Sequence, residues 1–224
     1  MKATQLKRVE SAGAAFVFDL AIMAGLGLVG SFALQIIAPC TRRLVVIDDD
    51  QVSETSTILA PYSMRDVGKD KAEAAARFLR KRFIHLRGRN RAVGLSIDIR
   101  TLGEGFWRAA ARLGKVVLFS CLDNVGSVDY AARMARNAGI PSVAMQVGPS
   151  GAEALAFPAD SQEACFACLG LAPGTSRPCL GVRRQEAQPT ISTPAAGAAS
   201  ASIGFDLARR LVSGQLGQAC DERL

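Results

Sequence analysis

Residues 16–50 read FVFDLAIMAGLGLVGSFALQIIAPCTRRLVVIDDD, and the choice of fold is made within them. The apolar run Phe16 to Met23 leads into Gly25-Leu-Gly-Leu-Val-Gly30-Ser31, after which Phe32 to Ile37 has the composition of a buried helix. Pro39 stops that helix. Leu44-Val-Val-Ile47 is a β-branched run typical of a buried parallel strand, and Asp48, Asp49 and Asp50 terminate it. The order is strand, glycine turn, helix, strand. A glycine turn of this kind lets backbone approach a phosphate and presents helix N-terminal N–H groups to an anion. Gly25, Gly27 and Gly30 fit G-x-G-x-x-G, a spacing that close packing of a helix on a strand also requires. Asp48 stands where an acidic side chain accepts hydrogen bonds from ribose hydroxyls at the end of a second strand, and the two features together point to nucleotide binding.

The alternation continues downstream. Ala72, Ala75, Ala76 and Leu79 recur at helical spacing within a predicted helix from Lys69 to Lys81. A strand is expected over Val93 to Ile99, a helix over Gly105 to Leu113 and a buried strand over Val116 to Phe119 that reaches Cys121-Leu-Asp123-Asn124. A helix from Val128 to Ala138 and a strand from Ser142 to Val147 complete a βαβαβ pattern. That pattern predicts an α/β fold, a doubly wound and mostly parallel sheet with helices on both faces. After Gly151 the pattern changes, through a loop rich in Pro, Gly and Arg, to a small-residue helix from about Pro194 to Val212.

The chain of 224 residues suits one domain over 1–224, with a nucleotide-binding core over 1–150 and a cysteine-bearing loop and final helix over 151–224. Apolar residues make up 49% and charged residues 21%, a balance that argues against disorder. The net charge of +7 is uneven: Arg77, Arg80, Lys81, Arg82, Arg87, Arg89 and Arg91 share a stretch without an acidic residue. A solvated basic face and a dock for an acidic partner both account for it. Nucleic acid is disfavoured because no base-stacking aromatics interleave with the arginines. Lys2, Lys7 and Arg8 precede the apolar stretch Ala12 to Pro39, but Asp19, Gln35 and four glycines interrupt it, so no membrane segment is expected. Six cysteines in a chain this long fit a reducing, cytoplasmic setting rather than a disulfide framework.

From Gly25 to Gly214 the ordered motifs resemble the ThiF/MoeB/HesA family of ubiquitin-activating-enzyme-like adenylyltransferases. These motifs are GLGLVGS, VVIDDDQV, DVGKDKAEA, CLDN, GIPSV, CFACL and the closing TPAAGAASASIGFDLARRLVSG. The resemblance implies a Rossmann-like fold, ATP and Mg²⁺ as cofactors, and a paired state as homodimer or heterodimer. It also implies a ubiquitin-like or sulfur-carrier protein, or a peptide, whose C-terminal carboxylate is activated. Gly25, Gly27, Gly30, Asp48 and Asp50 then line the nucleotide. Lys71 becomes the cation at the phosphates and Asp123 the Mg²⁺ ligand, whereas Asn124 supports the turn. Lys71 also reads as an exposed helix lysine, and Asp123 as a turn residue.

Departures from the family pattern are informative. Its S-N-L-x-R-Q falls on Thr55-Ser56-Thr57-Ile58-Leu59-Ala60, which removes an asparagine and an arginine from the ATP site, and Val128 replaces the arginine that often follows the Asp-Asn pair. Arg65 is a candidate substitute. Cys165 and Cys168 have the spacing of half a zinc site, with Cys220 as a further ligand and Cys179 or a partner left to complete it. The alternative is a pair of free thiols. Cys179 also aligns with a cysteine used in some relatives for sulfur transfer or thioester formation, and Arg177, Arg183 and Arg184 near it favour a thiolate. Cys40 and Cys121 read as ordinary cysteines and His85, the one histidine, as structural. Two functions follow: an active adenylyltransferase, or a catalytically impaired member that serves as a binding subunit. A nicotinamide-binding dehydrogenase leaves the motifs beyond Asp48 without a role.

Overall fold

The computed structural model describes residues 16–58, 61–88, 90–148, 151–159 and 194–214. Strand β1, Leu20–Ala24, is buried at every residue. Ala21 and Met23 join one apolar cluster, while Leu20, Ile22 and Ala24 join another across the sheet. Both faces of the strand are covered, so its sequence is an unbroken apolar run instead of an alternation.

Around β1 lie β2 (Leu44–Ile47), β3 (Ala92–Leu95), β4 (Val116–Ser120), β5 (Ser142–Gly148) and β6 (Gly151–Phe157). The sheet order is β3-β2-β1-β4-β5-β6. The first five strands are parallel and β6 runs antiparallel to β5. Helices α1 (Leu28–Ile37), α2 (Lys71–Arg82) and α5 (Pro194–Val212) cover one face, with Leu34, Leu79 and Ala201 in its core. Helices α3 (Glu104–Ala111) and α4 (Val125–Asn137) cover the other with Trp107 and Ala131. The expected doubly wound α/β architecture is therefore present.

Several boundaries differ from the sequence reading: α2 starts at Lys71 after the N-cap Asp70, and α4 at Val125 after the N-cap Asn124. Helix α1 starts at Leu28, directly on the glycine turn. β3 ends at Leu95, because the Asp98 carboxylate accepts the Arg100 N–H at 2.8 Å and starts a short 3₁₀ turn over Ile99–Thr101. β6 lies in a segment read only as a change of pattern. Its alanine-rich GAEALAF carries little strand signal, and it is held by pairing with β5 and by α5, whose Ser200 hydroxyl donates to Glu153 O at 2.6 Å. Small residues let α5 lie close: a Cβ on Gly204 would come within 2.2 Å of Met145 Sδ. Among the described residues no helix is long and apolar enough to cross a membrane.

Between β2 and α2 the chain closes on itself. Gln51 bridges Asp70, and the Val52 N–H donates to Lys69 O at 2.8 Å. Within this loop the Asp66 carboxylate accepts the Ser63 hydroxyl at 2.6 Å, the Ser63 N–H at 3.1 Å and Arg77 Nη2 at 2.9 Å. The Ser63 hydroxyl first, and Arg77 after it, hold the Asp66 carboxyl below its usual range. A lowered native value gives stability that is present above the ordinary carboxylate pKa and is lost as pH falls through the native one.

Asp66→Asn is accordingly expected to lower Tm by roughly 2–4 °C at neutral pH. The gap to wild type should close below about pH 4; an equal gap in calorimetric scans at both pH values would contradict the assignment. The glycine turn yields a second test. A Cβ on Gly30 would sit 2.0 Å from Gly25 O, whereas one on Gly27 meets nothing within 4 Å. Gly30→Ala should cost about 3 kcal/mol or more in denaturant titrations, and Gly27→Ala about 1 kcal/mol or less.

Candidate functional site

The strand order reverses direction at β1, between β2 and β4, and in open α/β sheets ligands bind beyond the carboxyl ends of the strands at that point. The glycine turn occupies it. Gly25 has φ of 85°, its N–H donates to Ile47 O at 2.9 Å, and a Cβ there would lie 2.6 Å from Cys121 O. Gly25 and Gly30 are thus required by packing. Gly27 is different: it is exposed, its missing Cβ faces open space, and it begins α1 with no side-chain cap on the helix N-terminus. The surroundings fit an anionic group. Among the described residues, nothing lies within 4 Å of a Cβ on Gly27 and the first-turn N–H groups receive no side chain.

Asp48 ties this turn to the end of β2. Its Oδ2 accepts the Leu26 N–H at 2.6 Å and its Oδ1 the Asp50 N–H at 2.9 Å. Burial pushes its carboxyl up from the ordinary value, against the Lys71 ammonium and the two N–H bonds, which pull it down. Leu26 O is held from the other side by the Tyr62 hydroxyl at 3.0 Å and the Ser31 hydroxyl at 3.1 Å. Tyr62 is buried, and that burial raises its phenol pKa. The sequence reading missed Tyr62, whose one signal is an aromatic ring directly after Pro61 in the loop between β2 and α2.

Lys71 opens α2 beside this turn. Its Nζ lies 2.7 Å from Asp50 Oδ2, with the lysine side chain 13% exposed and the aspartate 70%. The Lys71 N–H also donates to Asp50 O at 2.9 Å. The backbone fixes the pair in register, and the aspartate is left open to solvent. Carboxylate oxygens of Asp48, Asp49 and Asp50 lie within 4.8 Å of one another, a hard-oxygen donor set that suits Mg²⁺.

On the α3–α4 side of the sheet a cleft of about 150 Å³ runs between the ends of β2, β3 and β4. Ile47, Ile97, Ile99 and Leu122 form apolar walls, and Asp48, Asp98, Arg100, Asp123 and Asn124 supply polar groups at its margin. Asp48 is shared between cleft and glycine turn; Lys71 and the three glycines lie outside the cleft lining. Asp123 is an exposed lining residue, while Asn124 caps α4 by accepting the Ser127 N–H at 3.1 Å, as expected of a turn support. Asp98 and Arg100 escaped the sequence reading. The guanidinium chelates the Asp98 carboxylate, with Nε at 2.9 Å and Nη2 at 2.5 Å, and holds that carboxyl below its usual range.

Other candidates fall elsewhere. Ser56, at the position of the family asparagine, is engaged with Ser53, whose hydroxyl lies 2.8 Å from its own. The Arg65 side chain is exposed. Cys165, Cys168, Cys179 and Cys220 lie outside the described residues. Cys40 and Cys121 are free thiols, and burial raises both pKa values. His85 is structural as expected: its Nε2 lies 3.0 Å from Ala38 O, and its ring packs 5.2 Å from Phe16.

Solved structures with this fold include E. coli MccB with AMPCPP and MccA, at TM-score 0.65 and 14% identity over 90% of this chain and 58% of that one. PaaA follows at TM-score 0.64 and 15% identity over 96% of this chain and 76% of that one. MccB with ATP matches at TM-score 0.61 and 16% identity over 90% of this chain and 57% of its own. The chain thus spans less than two thirds of the length of MccB. No curated protein matches the sequence. The ThiF family profile matches residues 11–213. With nearly the whole core inside that match, and with the glycine turn, Asp48 and the β4 loop assembled at one sheet edge, the chain belongs to the ThiF family.

Proposed function

We propose that this chain uses ATP to activate a carboxylate of a peptide or small protein as an acyl-adenylate. A single observation carries the reading: the open Gly27 face and uncapped start of α1 adjoin, through Asp48, a cleft in which Ile47, Ile97, Ile99 and Leu122 offer apolar contact for a nucleobase within a largely polar lining. ATP as the nucleotide is supported by the family and by MccB, which has been solved with ATP and with AMPCPP beside MccA. A carboxylate oxygen attacks the α-phosphorus, the bond to the bridging oxygen breaks, and pyrophosphate leaves. A free carboxylate is a poor electrophile, and the AMP leaving group corrects that.

In this reading the α1 N-terminus and Gly27 cradle the phosphates, and Lys71 offsets charge that builds on the leaving pyrophosphate. Asp48 accepts from the ribose with lone pairs its two backbone bonds leave over, and the walls of the cleft exclude water from the base. Asp123, with Asp49 from the same cleft lining, would hold Mg²⁺, which supplies charge neutralisation at the phosphates when bound. A homodimer or a related subunit, a ubiquitin-like or sulfur-carrier substrate and a cytoplasmic setting belong to the same proposal. Ser56, turned to Ser53, favours a second reading in which the chain binds nucleotide but needs a partner to complete the site.

Calorimetric titration with Mg-ATP is expected to show binding by the wild type and at least about tenfold weaker binding by Asp123→Ala. A wild type that binds no ATP removes the proposal. In pyrophosphate exchange with an acceptor peptide, Lys71→Ala should fall about a hundredfold. Unchanged exchange would rule out Lys71 as the cation at the leaving group, and binding without exchange by the wild type would select the partner-dependent reading.

A further inference from the structure

The end of the sheet opposite the cleft has a charge pattern that chain order conceals. Arg91 immediately precedes β3, Arg43 precedes β2 and Lys115 precedes β4, so the parallel register sets these cations along one edge. At strand spacing they span about 14 Å. Helix α2 runs back to the same edge and ends in Lys81 and Arg82, with Arg87 in the link to β3. These six cations have no ion-pair partner among the described residues; Arg77 and Arg80 of the same stretch are consumed by Asp66 and by Ala92 O. The one acidic side chain among them, Asp19, is already engaged by Arg42 at 3.6 Å and by the Lys115 N–H at 3.0 Å. Acidic groups gather at the other end, where Asp48, Asp49, Asp98 and Asp123 border the cleft.

We propose that this cationic edge is a docking surface for an acidic segment of a partner protein, bound at the end of the sheet away from the nucleotide cleft. Charge complementarity sets the sign of the partner. Its class follows from two aliphatic side chains set among the cations, Ile84 at 49% and Leu113 at 41% exposure. Ile84 lies between Arg82 and Arg87, and Leu113 between Arg112 and Lys115. A polypeptide with Glu or Asp and interspersed apolar side chains satisfies both features, whereas a phosphodiester chain leaves the aliphatics uncovered. The edge also lacks exposed aromatics on which bases stack: among the described residues the large exposed apolar side chains are all aliphatic or Met. None of these residues lines the cleft, so the docking edge stands independently of the nucleotide reading.

Fluorescence anisotropy of the full chain with a labelled synthetic peptide of Glu interspersed with Leu tests it, against an all-Glu peptide, oligo-dT and phosphatidylserine vesicles. The Glu/Leu peptide is expected to bind best and to weaken as salt is raised. The variant Lys81→Glu/Arg87→Glu/Arg91→Glu should lose about tenfold or more in affinity, and the corresponding Gln variant somewhat less. Ile84→Ser should weaken the Glu/Leu peptide about threefold and leave the all-Glu peptide unchanged. A charge-matched reversal of Arg108, Arg133 and Arg210, on other helices, should have no effect. Unfolding midpoints of all variants check that they are folded. Absence of peptide binding, tighter binding of oligo-dT or vesicles, or equal loss in the charge-matched control would each overturn the proposal.

Discussion

Helix α1 begins almost on the backbone of the strand that precedes it. The space at Gly30 is so small that a single methyl group would overlap Gly25 O, and Gly25 in turn takes a left-handed conformation against Cys121 O. This contact turns the chain sharply enough for β1 to stay central and for α1 to pack on the sheet. It also puts the uncapped end of α1 at the point where β2 and β4 part. The N–H groups there are open because the N-cap, Gly27, carries no side chain and a Cβ on it would meet nothing within 4 Å. Asp48 then fastens the turn to β2 through the Leu26 N–H, and Tyr62 and Ser31 fasten it through Leu26 O. One residue, Leu26, carries both attachments on its backbone.

Around that turn each cation of the site is held by a carboxylate, Lys71 by Asp50 and Arg100 by Asp98. Each pair has one partner open to solvent, Asp50 in the first and Arg100 in the second, so they do little for global stability. Their effect is positional. Lys71 is anchored by its own N–H on Asp50 O and is largely buried, so its ammonium stays beside Asp48 instead of ranging through solvent. Whatever anion enters meets charges already arranged, and the ordering entropy of a long lysine side chain has been met during folding.

Charge is also sorted along the strands. In a parallel sheet every strand begins at one edge and ends at the other, so residues just before strands share one surface and those just after share the opposite one. Arg43, Arg91 and Lys115 precede strands, while Asp48 and Asp123 follow them. A chain of net charge +7 thereby acquires an acidic end at the cleft and a basic end away from it.

Local sequence was sufficient for the strands and helices of the first 148 residues, since buried parallel strands are continuous apolar runs and Gly25 to Gly30 mark a turn only glycine tolerates. It was also sufficient for Asp48 as a candidate, through its place at the end of the second strand, whereas Lys71 and Asp123 became candidates through the resemblance of their motifs to the family. Tertiary structure alone decided the rest. β6 has too weak a local preference to form without β5 and α5 on either side of it. Tyr62 reaches Leu26 O across 36 positions of chain, and the Asp98–Arg100 pair matters only because β3 stops beside β2 and β4. Ser56 gives the same lesson, since only the folded loop shows its hydroxyl turned to Ser53. Periodicity and turn chemistry are local and can be read along the chain; which side chains converge on one cleft is set by strand order, and strand order is a property of the packed sheet.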